Sequence, residues 1–393
     1  MTLDESKHLL NRTSFGYTQN DLNLFTTLTK KEAVEYLFSN VGKHPTISLP
    51  SDIQKVSLRP KKFKTLSREQ RKKHRITKQK KMKQLQIWWY KMMTNSKYSF
   101  QEKMVLFWHN HFVSEYRVVK NPYFMMEQNR LFRQHAIGDF SVLLHDSCKD
   151  LAMLIYLDNN SNKKTSPNEN FARELMELFT LGEGNYSEDD VKNAARAFTG
   201  WRVNRKKALF KKVKKHHDYG SKIFLNQKGN FDGEDIVDIL LEQKQTANFI
   251  VEKLHAEFIS QRPNKVLIEK IANTFRESNY DIKAVVKDIL LSDDFWHSNN
   301  SLIKSPTELI VGTIKNLNMV LEEKHYKFVL RTAKNLGQIL FNPPNVKGWE
   351  GGQSWIDSSS YVGRQEFIRR VVQKNKSKKR VLKTYLLAQY QLK

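Results

Sequence analysis

The sequence predicts a mainly α-helical protein, a multi-helix, bundle-like domain with a small β-hairpin insertion. Sequences of the form Ser/Thr-x-x-Glu/Gln, in which a side chain caps a helix start, open amphipathic runs at several places. No sequence period recurs, which excludes a solenoid, and strand-like runs are confined to residues 201–229. With 393 residues, 39% of them hydrophobic, the chain can bury a large core. A single helical domain over residues 1–393 is therefore expected.

Each predicted helix start rests on a local capping signal. Four capping boxes open apolar-periodic runs, and two further residues are simpler caps that accept hydrogen bonds from the first turn. The boxes are Thr29–Glu32, Ser67–Gln70, Ser99–Glu102 and Ser305–Glu308, and the simpler caps are Ser187 and Asp232. Counted in this way, the chain holds roughly a dozen or more helices.

The exception to the helical pattern lies between Gly200 and Gly229. Two short runs there, ALFKKV (208–213) and KIFL (222–225), flank the polar sequence His-His-Asp at 216–218. Short runs that contain β-branched and aromatic residues and are separated by turn residues predict a β-hairpin. We therefore expect a hairpin insertion over residues 201–229.

The positive charge is concentrated in three segments. The formal net charge is +26, and residues 51–83, 202–215 and 369–383 carry 14, 8 and 8 of the lysines and arginines against only two acids. We expect a basic insertion and helix over residues 44–83 and a basic C-terminal helix over residues 374–393. Such segments either dock on an anionic polymer or are solvated surface runs. Since they lack zinc-finger spacing, zipper heptads and RNP-type aromatics, any nucleic-acid binding is expected to be nonspecific and salt-dependent.

Several classes of protein lack support in the sequence. No apolar run approaches the roughly 18 residues of a membrane helix, and Met1 is followed by polar sequence rather than by a signal peptide. The chain as given is expected to be soluble and cytoplasmic. The single cysteine, Cys148, forms no internal disulfide. Walker loops, G-x-G-x-x-G and G-x-S-x-G elements and paired C-x-x-C motifs are absent, so no nucleotide cofactor is predicted.

The segment Asp158–Gly182, DNNSNKKTSPNENFARELMELFTLG, carries most of the candidate chemistry. Ser166, Pro167 and Glu169 match a capping box with proline at the first helical position, so the helix is expected to begin at Pro167. Gly182 is expected to end it in the left-handed conformation. At about 100° per residue, one face is apolar and the other carries Glu169, Asn170, Arg173, Glu174 and Glu177.

The loop before this helix has the spacing of a calcium site. Asp158, Asn160, Asn162 and Glu169 occupy positions 1, 3, 5 and 12 of an EF-hand-like loop, where oxygen ligands wrap a hard cation. Lys163 replaces the glycine of the sixth position, and Glu169 is also the partner in the predicted capping box. The alternative is a turn satisfied by Asx and capping hydrogen bonds.

The candidate catalytic residues are Glu174, Glu177, Arg173, His109 and His111. Glu174 and Glu177 are three residues apart, so they either share a cation or supply a base, as paired carboxylates do in helical metal sites. Alternatively, Arg173 lies four residues from Glu169 and from Glu177 and forms an ordinary ladder of ion pairs. The two histidines point about 200° apart on one predicted helix, so each is either a single site residue or a buried structural histidine.

A loop near the C-terminus has the composition of a binding loop. The sequence NPPNVKGWEGG (342–352) has two prolines to stiffen it, and its glycines let the backbone approach a partner closely. Trp349 is its natural anchor. The loop either wraps over the core or binds a ligand.

Eight segments distributed over nearly the whole chain carry a resemblance to a known family. They are HLLNRTSFG (8–16), FWHNHF (107–112), RQHAIGDF (133–140), PNENFARELMELFTLG (167–182), AARAFTGW (194–201), GNFDG (229–233), KSPTELIVGT (304–313) and NPPNVKGW (342–349). In this order they resemble the signatures of the bacterial domain-of-unknown-function 1800 family, which is uncharacterised. Members of this family often carry export signals, so the resemblance implies a periplasmic or exported protein if a leader has been removed. It also implies a partner from the sulfatase-like domain-of-unknown-function 1501 family, whose genes often lie nearby.

Two functional hypotheses follow. In the first, a site between the FWHNHF and PNENFARELMELFTLG helices binds a divalent cation, calcium or a transition metal, and supports metal-assisted hydrolysis. Glu174 or Glu177 is then a ligand or base, Arg173 holds a substrate anion, and His109 or His111 is the acid–base partner. In the second, a noncatalytic adaptor binds an anionic polymer, nucleic acid or polysaccharide, or a protein, through the three basic segments.

Overall fold

The fold is mainly α-helical, as the sequence predicts. The computed structural model describes residues 1–42, 47–50, 53, 65–96, 99–298 and 301–374. Within these residues there are 19 α-helices and two small two-stranded sheets. None of the described helices could span a lipid bilayer, because none is both long enough and apolar enough.

The elements follow one another with short connections. The first nine helices are α1 (Leu3–Thr13), α2 (Gln19–Thr26), α3 (Lys30–Ser39), α4 (Arg68–Asn95), α5 (Phe100–His111), α6 (Tyr116–Val119), α7 (Pro122–Gln134), α8 (Phe140–Lys149) and α9 (Leu151–Tyr156). The central elements are α10 (Asn170–Glu174) with its π-helical continuation (Leu175–Thr180), α11 (Glu188–Ala197), β1 (Trp201–Asn204), β2 (Leu209–Lys212), β3 (Lys222–Phe224) and β4 (Gln227–Gly229). The last eight helices are α12 (Gly233–Glu242), α13 (Lys244–Phe258), α14 (Lys265–Glu277), α15 (Ile282–Leu291), α16 (Asp293–His297), α17 (Pro306–Asn316), α18 (Glu323–Asn335) and α19 (Ser358–Lys374).

Most of the predicted caps are present. Thr29, Ser67, Ser187, Asp232 and Ser305 each accept a hydrogen bond from the first turn, and each has its reciprocal partner three residues later. The predicted box at Ser99 is wrong, since Ser99 makes no side-chain cap. Its Oγ instead accepts the Phe15 amide at 2.9 Å. Glu102 accepts hydrogen bonds from Arg133 and from the indole of Trp89, so tertiary partners take both members of the box.

The strand-like segment forms two hairpins rather than one. The run ALFKKV supplies β2, which pairs with β1, and the run KIFL supplies β3, which pairs with β4. Each run therefore pairs with its immediate neighbour in sequence and not with the other run. Local pairing needs only a short turn, whereas joining the two runs would have to close a longer connection.

Helix α5 lies at the centre of the core. Eleven of its twelve residues are buried, as expected of a helix covered on every side. Helix α7 packs beside α5 and against α4, while α4 also contacts α17 and α18. The turn after α1 approaches α17 so closely that a Cβ at Gly312 would lie 2.4 Å from the Phe15 carbonyl oxygen. This packing places the turn after α1 directly against α17.

Parts of the basic segments lie outside the described residues. Of residues 44–83, the helix is described from Arg68, and it runs on to Asn95 as part of α4. The predicted basic C-terminal helix, residues 374–393, lies outside the described residues apart from Lys374, where α19 ends. The structure therefore addresses mainly the segments in α4 and in the β1–β2 hairpin.

Candidate functional site

The helix that follows the predicted calcium loop begins at Asn170, three residues later than predicted. Lys163 and Ser166 form an isolated antiparallel bridge, which keeps Ser166 and Pro167 outside the helix. Asn168 takes the capping role, since its Oδ1 accepts the Asn170 amide at 3.0 Å. The predicted Ser166–Glu169 capping box is therefore wrong. The turn between Lys163 and Ser166 competes with it, and the Asn168 side chain, rather than that of Ser166, accepts a hydrogen bond from the start of the helix.

The second half of this helix is π-helical. Residues Leu175–Thr180 form i→i+5 hydrogen bonds, and the Thr180 hydroxyl donates to the Leu175 carbonyl at 2.7 Å. Gly182 ends the helix with φ of +81°, in the predicted left-handed conformation. Short π-helical turns are rare and occur frequently at functional sites.

The wider π-helical turn separates Arg173 from Glu177. Arg173 donates two hydrogen bonds to the Glu188 carboxylate, both at 2.7 Å, and pairs with Glu169 at 3.3 Å. Glu177 instead accepts the Tyr186 hydroxyl at 2.9 Å. The expected ladder is thus present between Arg173 and Glu169 but absent between Arg173 and Glu177. Partial burial, and then repulsion from Glu177, raise the pKa of Glu174.

The oxygens of the predicted calcium loop make hydrogen bonds to the protein. Asn160 Oδ1 accepts the Val203 amide at 2.8 Å, and Asn162 Oδ1 accepts the Asn168 amide at 3.0 Å. The Asp158 carboxylate accepts the Ser161 hydroxyl at 3.0 Å. Hydrogen bonds of this kind are those that the alternative, a turn held by side chains, requires. Within the described ranges, no three His, Cys, Asp or Glu side chains are arranged to hold a metal ion.

Both predicted catalytic histidines are buried and neutral. His109 Nε2 accepts the Phe341 amide at 3.1 Å, and the His109 ring packs edge-on against Trp89. His111 Nε2 lies 3.1 Å from the Phe179 carbonyl, which can only accept, so this nitrogen carries the proton. Burial lowers the pKa of each histidine to about 3. His109 therefore acts as a structural acceptor, and His111 caps the π-helical end.

A large cleft of about 1580 Å³ opens on one side of α5, and we call it the central cleft. Two of the five predicted catalytic residues, His111 and Glu177, line it. Five of the eight segments that carry the family resemblance also contribute lining residues, among them Arg12, Asn110, Gly182, Glu308 and Trp349. Residues of the two helices between which the site was predicted thus line part of a cleft to which the beginning, middle and later parts of the chain also contribute.

The loop over residues 342–352 closes one side of the central cleft. Asn110 holds this loop by both polar atoms of its side chain, accepting the Trp349 amide at 2.7 Å and donating to the Trp349 carbonyl at 3.0 Å. Gly348 has φ of +80°, and a Cβ there would lie 2.4 Å from Asn110 Oδ1. The loop therefore packs on the core, as the first alternative predicts, and its residues also line the cleft.

A second cavity, of about 670 Å³, lies between the exposed half of α4, the turn around α6 and the β1–β2 hairpin. We call it the basic groove. Its charged lining residues are all cations, and no aspartate or glutamate of the described chain lines it. These cations are Arg71, Arg75, Lys78, Arg117, Lys120 and Arg205.

Two of the three predicted basic segments meet in the basic groove. Arg71, Arg75 and Lys78 come from residues 51–83, and Arg205 comes from residues 202–215. Sequence reasoning missed Arg117 and Lys120, which belong to no run of like charges. Only the packing of the α6 turn beside α4, where Lys78 Nζ donates to the Lys120 carbonyl at 3.1 Å, brings them into the groove.

The basic groove carries a positive electrostatic potential, because its charged lining residues are all cations. The pKa of His74, which also lines it, is lowered by partial burial and then by the charges of Lys78 and Lys81. Glu115 pairs with Arg117 at its edge and offsets one of the cations. A group of cations this close together attracts anions over a distance of about one Debye length.

The comparisons with known proteins identify a family and no individual relative. The family model described as a protein of unknown function (DUF1800) matches residues 8–392. No curated protein and no solved structure matches the chain. The family match spans both the central cleft and the basic groove.

Proposed function

Because this chain belongs to the DUF1800 family, whose description assigns no activity, we propose its function from its surface: it binds an anionic polymer in the basic groove. The observation that carries the proposal is that six cations from three separate parts of the chain line one cavity, without an acidic lining residue among those described. A solvated charge run would have no reason to gather cations from distant segments.

The shape of α4 supports a polymer rather than a small ion. No residue from Arg68 to Lys81 is buried, so 14 residues of this helix remain accessible along the basic groove. At 1.5 Å per residue this is about 21 Å. Residues 68–83 hold nine lysines and arginines against Glu69 alone. An accessible helical stretch of this charge and length spans several repeating anionic groups of a polymer.

Duplex nucleic acid is the polymer that this geometry favours. The major groove is wide enough to admit an α-helix, and arginine donates to phosphate oxygens in pairs. Phosphate contacts of this type release counterions, so binding falls steeply with salt. Because Glu115 already pairs with Arg117, we count five phosphate contacts, and the logarithm of the affinity should fall by about 4 to 5 for each tenfold rise in salt concentration.

The test compares two triple variants with equal charge and spacing. Arg71→Gln/Arg75→Gln/Lys78→Gln removes three cations of the basic groove. Lys327→Gln/Arg331→Gln/Lys334→Gln removes three exposed cations of α18 with the same intervals in sequence. Binding of a mixed-sequence DNA duplex, and of a linear polyuronate as a carboxylate polymer, is measured by fluorescence anisotropy and calorimetry at several salt concentrations.

The groove variant should lose affinity for the polymer 10- to 100-fold. The slope of log affinity against log salt concentration should become about 3 less steep, since each phosphate contact contributes about 0.9 to that slope. The α18 variant should bind as the unmodified protein does. Binding of DNA alone identifies a nucleic acid as the polymer, and binding of polyuronate alone identifies an acidic polysaccharide. Equal losses in the two variants would overturn the proposal, because net charge rather than the groove would then explain binding.

Metal-assisted hydrolysis is a second candidate, because His111 and Glu177 line the central cleft together. Its test is the metal content of the untagged protein compared with that of Glu174→Gln/Glu177→Gln and, separately, of Asp158→Asn. Stoichiometric metal lost in either variant would support this candidate. An unchanged metal content in both would contradict it.

A further inference from the structure

The loop with the spacing of a calcium site presents two lysines at the surface. Lys163 and Ser166 form an isolated antiparallel bridge, in which the Ser166 amide donates to the Lys163 carbonyl at 2.8 Å. Lys163 and Lys164 are both exposed in this tight turn. The Lys164 amide donates to the His216 carbonyl at 2.9 Å. The turn is therefore fixed against the segment that follows β2.

Four cations from three parts of the chain surround His216. Partial burial, and then four positive charges, lower the pKa of this histidine. We call the four cations the hairpin-base patch, and they are Arg202, Lys215, Lys163 and Lys164. The three lysines are exposed and Arg202 is partly buried. The ion pairs of the hairpin region use other cations, since Asp218 pairs with Arg196 and Asp232 pairs with Lys212.

A further cation lies directly opposite Arg202. Strands β1 and β2 pair with Arg202 in register with Lys211, so both side chains lie on the same face of the hairpin. Like charges directly opposite each other destabilise an antiparallel pair. The hairpin therefore carries an unfavourable concentration of positive charge at its base, which a bound anion would relieve.

The hairpin connects the hairpin-base patch to the basic groove. Arg205, which lines the groove, lies three residues after Arg202. Three residues of chain span no more than about 11 Å. Lys206 and Lys207, both exposed, follow in the turn between β1 and β2. No aspartate or glutamate interrupts residues 202–215, so cations follow one another from the groove to the base of the hairpin.

We propose that a duplex held in the basic groove continues along the β1–β2 hairpin, where the hairpin-base patch binds its phosphates as a second site. This inference rests on the proposed function and extends its surface. B-DNA carries about one negative charge per 1.7 Å of its axis, so phosphates are available along the whole hairpin. A row of cations along a hairpin fits the repeating charges of a polymer better than one small anion.

The experiment compares Lys163→Gln/Lys164→Gln/Lys215→Gln, the patch variant, with the α18 variant used as the control for the basic groove. Each variant loses three exposed cations. Binding of the mixed-sequence DNA duplex is measured by fluorescence anisotropy at several salt concentrations. In the unmodified protein, acetylation of each lysine by acetic anhydride is also followed by mass spectrometry, with and without the duplex.

The patch variant should bind the duplex at least fivefold more weakly than the unmodified protein. The slope of log affinity against log salt concentration should become about 2 to 3 less steep, since each phosphate contact contributes about 0.9 to that slope. The α18 variant should bind as the unmodified protein does. The duplex should protect Lys163, Lys164 and Lys215 from acetylation, whereas Lys327 and Lys334 should react equally with and without it.

The outcomes separate this inference from the function on which it rests. If the groove variant loses binding while the patch variant binds as the unmodified protein does, the basic groove is the whole site and this inference is overturned. If the unmodified protein binds no duplex, the proposed binding of nucleic acid and this inference are both overturned. If the patch variant does not fold, the protection of Lys163, Lys164 and Lys215 in the unmodified protein decides the outcome.

Discussion

Replacing Lys103 with methionine should destabilise the protein strongly at neutral pH and much less in acid. Lys103 lies between the Glu257 and Glu308 carboxylates and is almost fully buried. Methionine has a similar shape and no charge, so the variant leaves two carboxylates in the central cleft without their cation. Breaking a buried ion pair in this way costs about 3–5 kcal/mol.

The pKa of Glu308 gives an independent magnitude. Burial alone would raise this pKa, but the charge and hydrogen bond of Lys103, with the Ser305 amide, lower it from 4.5 to about 2. At about 1.4 kcal/mol for each pKa unit, the shift corresponds to roughly 3 kcal/mol. This stabilisation is complete above pH 4.5 and is lost as the pH falls through 2. For Glu257 burial prevails over Lys103, so its pKa is raised and its contribution has the opposite sign.

In Lys103→Met, burial is opposed at Glu308 only by the hydrogen bonds from Ser305 and at Glu257 by the charge of Arg12, so both carboxyl pKa values should rise. A raised carboxyl pKa gives stability that is present below the unfolded pKa and is lost as the pH rises through the folded pKa. The difference in unfolding free energy between the two proteins should therefore be roughly 3–5 kcal/mol at pH 7. It should be at least halved at pH 4.5.

The assay is thermal and urea denaturation at both pH values. Adding Glu257→Gln to Lys103→Met should recover stability at pH 7, because one of the two uncompensated charges is removed. Lys222→Met is the matched control, since this buried lysine bonds to the backbone carbonyls of Asp218 and Gly220 and to no carboxylate. A cost for Lys103→Met that is equal at the two pH values would refute the reasoning.

Three further predictions concern the loop, the carboxylates and a histidine. Gly348→Ala should lower the unfolding free energy by more than Gly337→Ala, because both glycines have positive φ but only the Cβ at Gly348 meets Asn110; urea denaturation of the two variants measures the difference. Glu174→Gln should raise the melting temperature at pH 7 and change it little at pH 4, because its raised pKa makes the ionised form unfavourable in the fold; a lower melting temperature at pH 7 would indicate that a cation needs this carboxylate. The His109 imidazole should show no protonation above pH 4 in an NMR titration, because burial lowers its pKa to about 3; titration near pH 6.5 would contradict the buried, neutral assignment.

Short-range signals predicted the helical architecture well. Capping boxes at Thr29, Ser67 and Ser305 involve residues three positions apart, so the sequence alone contains both partners. The same reasoning failed where distant residues competed for the same groups. Ser99 and Glu102 have the pattern of a capping box, yet Phe15 and Arg133 take them. The prediction of a cap at Ser166 was wrong for a local reason, because the Asn168 side chain accepts the hydrogen bond from the start of the helix instead.

The candidate sites depended on long-range packing more than the helices and their caps did. Charge counting identified the segments of Arg71 and Arg205 as basic. It could not show that these segments share one groove with Arg117 and Lys120. The sequence likewise contained no signal for the ion pair between Lys103 and Glu308, which are 205 positions apart.

By itself the sequence determined the helices, the apolar faces, the left-handed end at Gly182 and the location of the charge along the chain. These properties depend on periodicity and on caps within a few residues. Only the tertiary structure decided that His109 and His111 are buried, that Arg173 pairs with Glu188, and that Lys103 lies between two carboxylates. The physical reason is that a periodic pattern identifies which face of a helix is covered, whereas the covering groups come from distant parts of the chain.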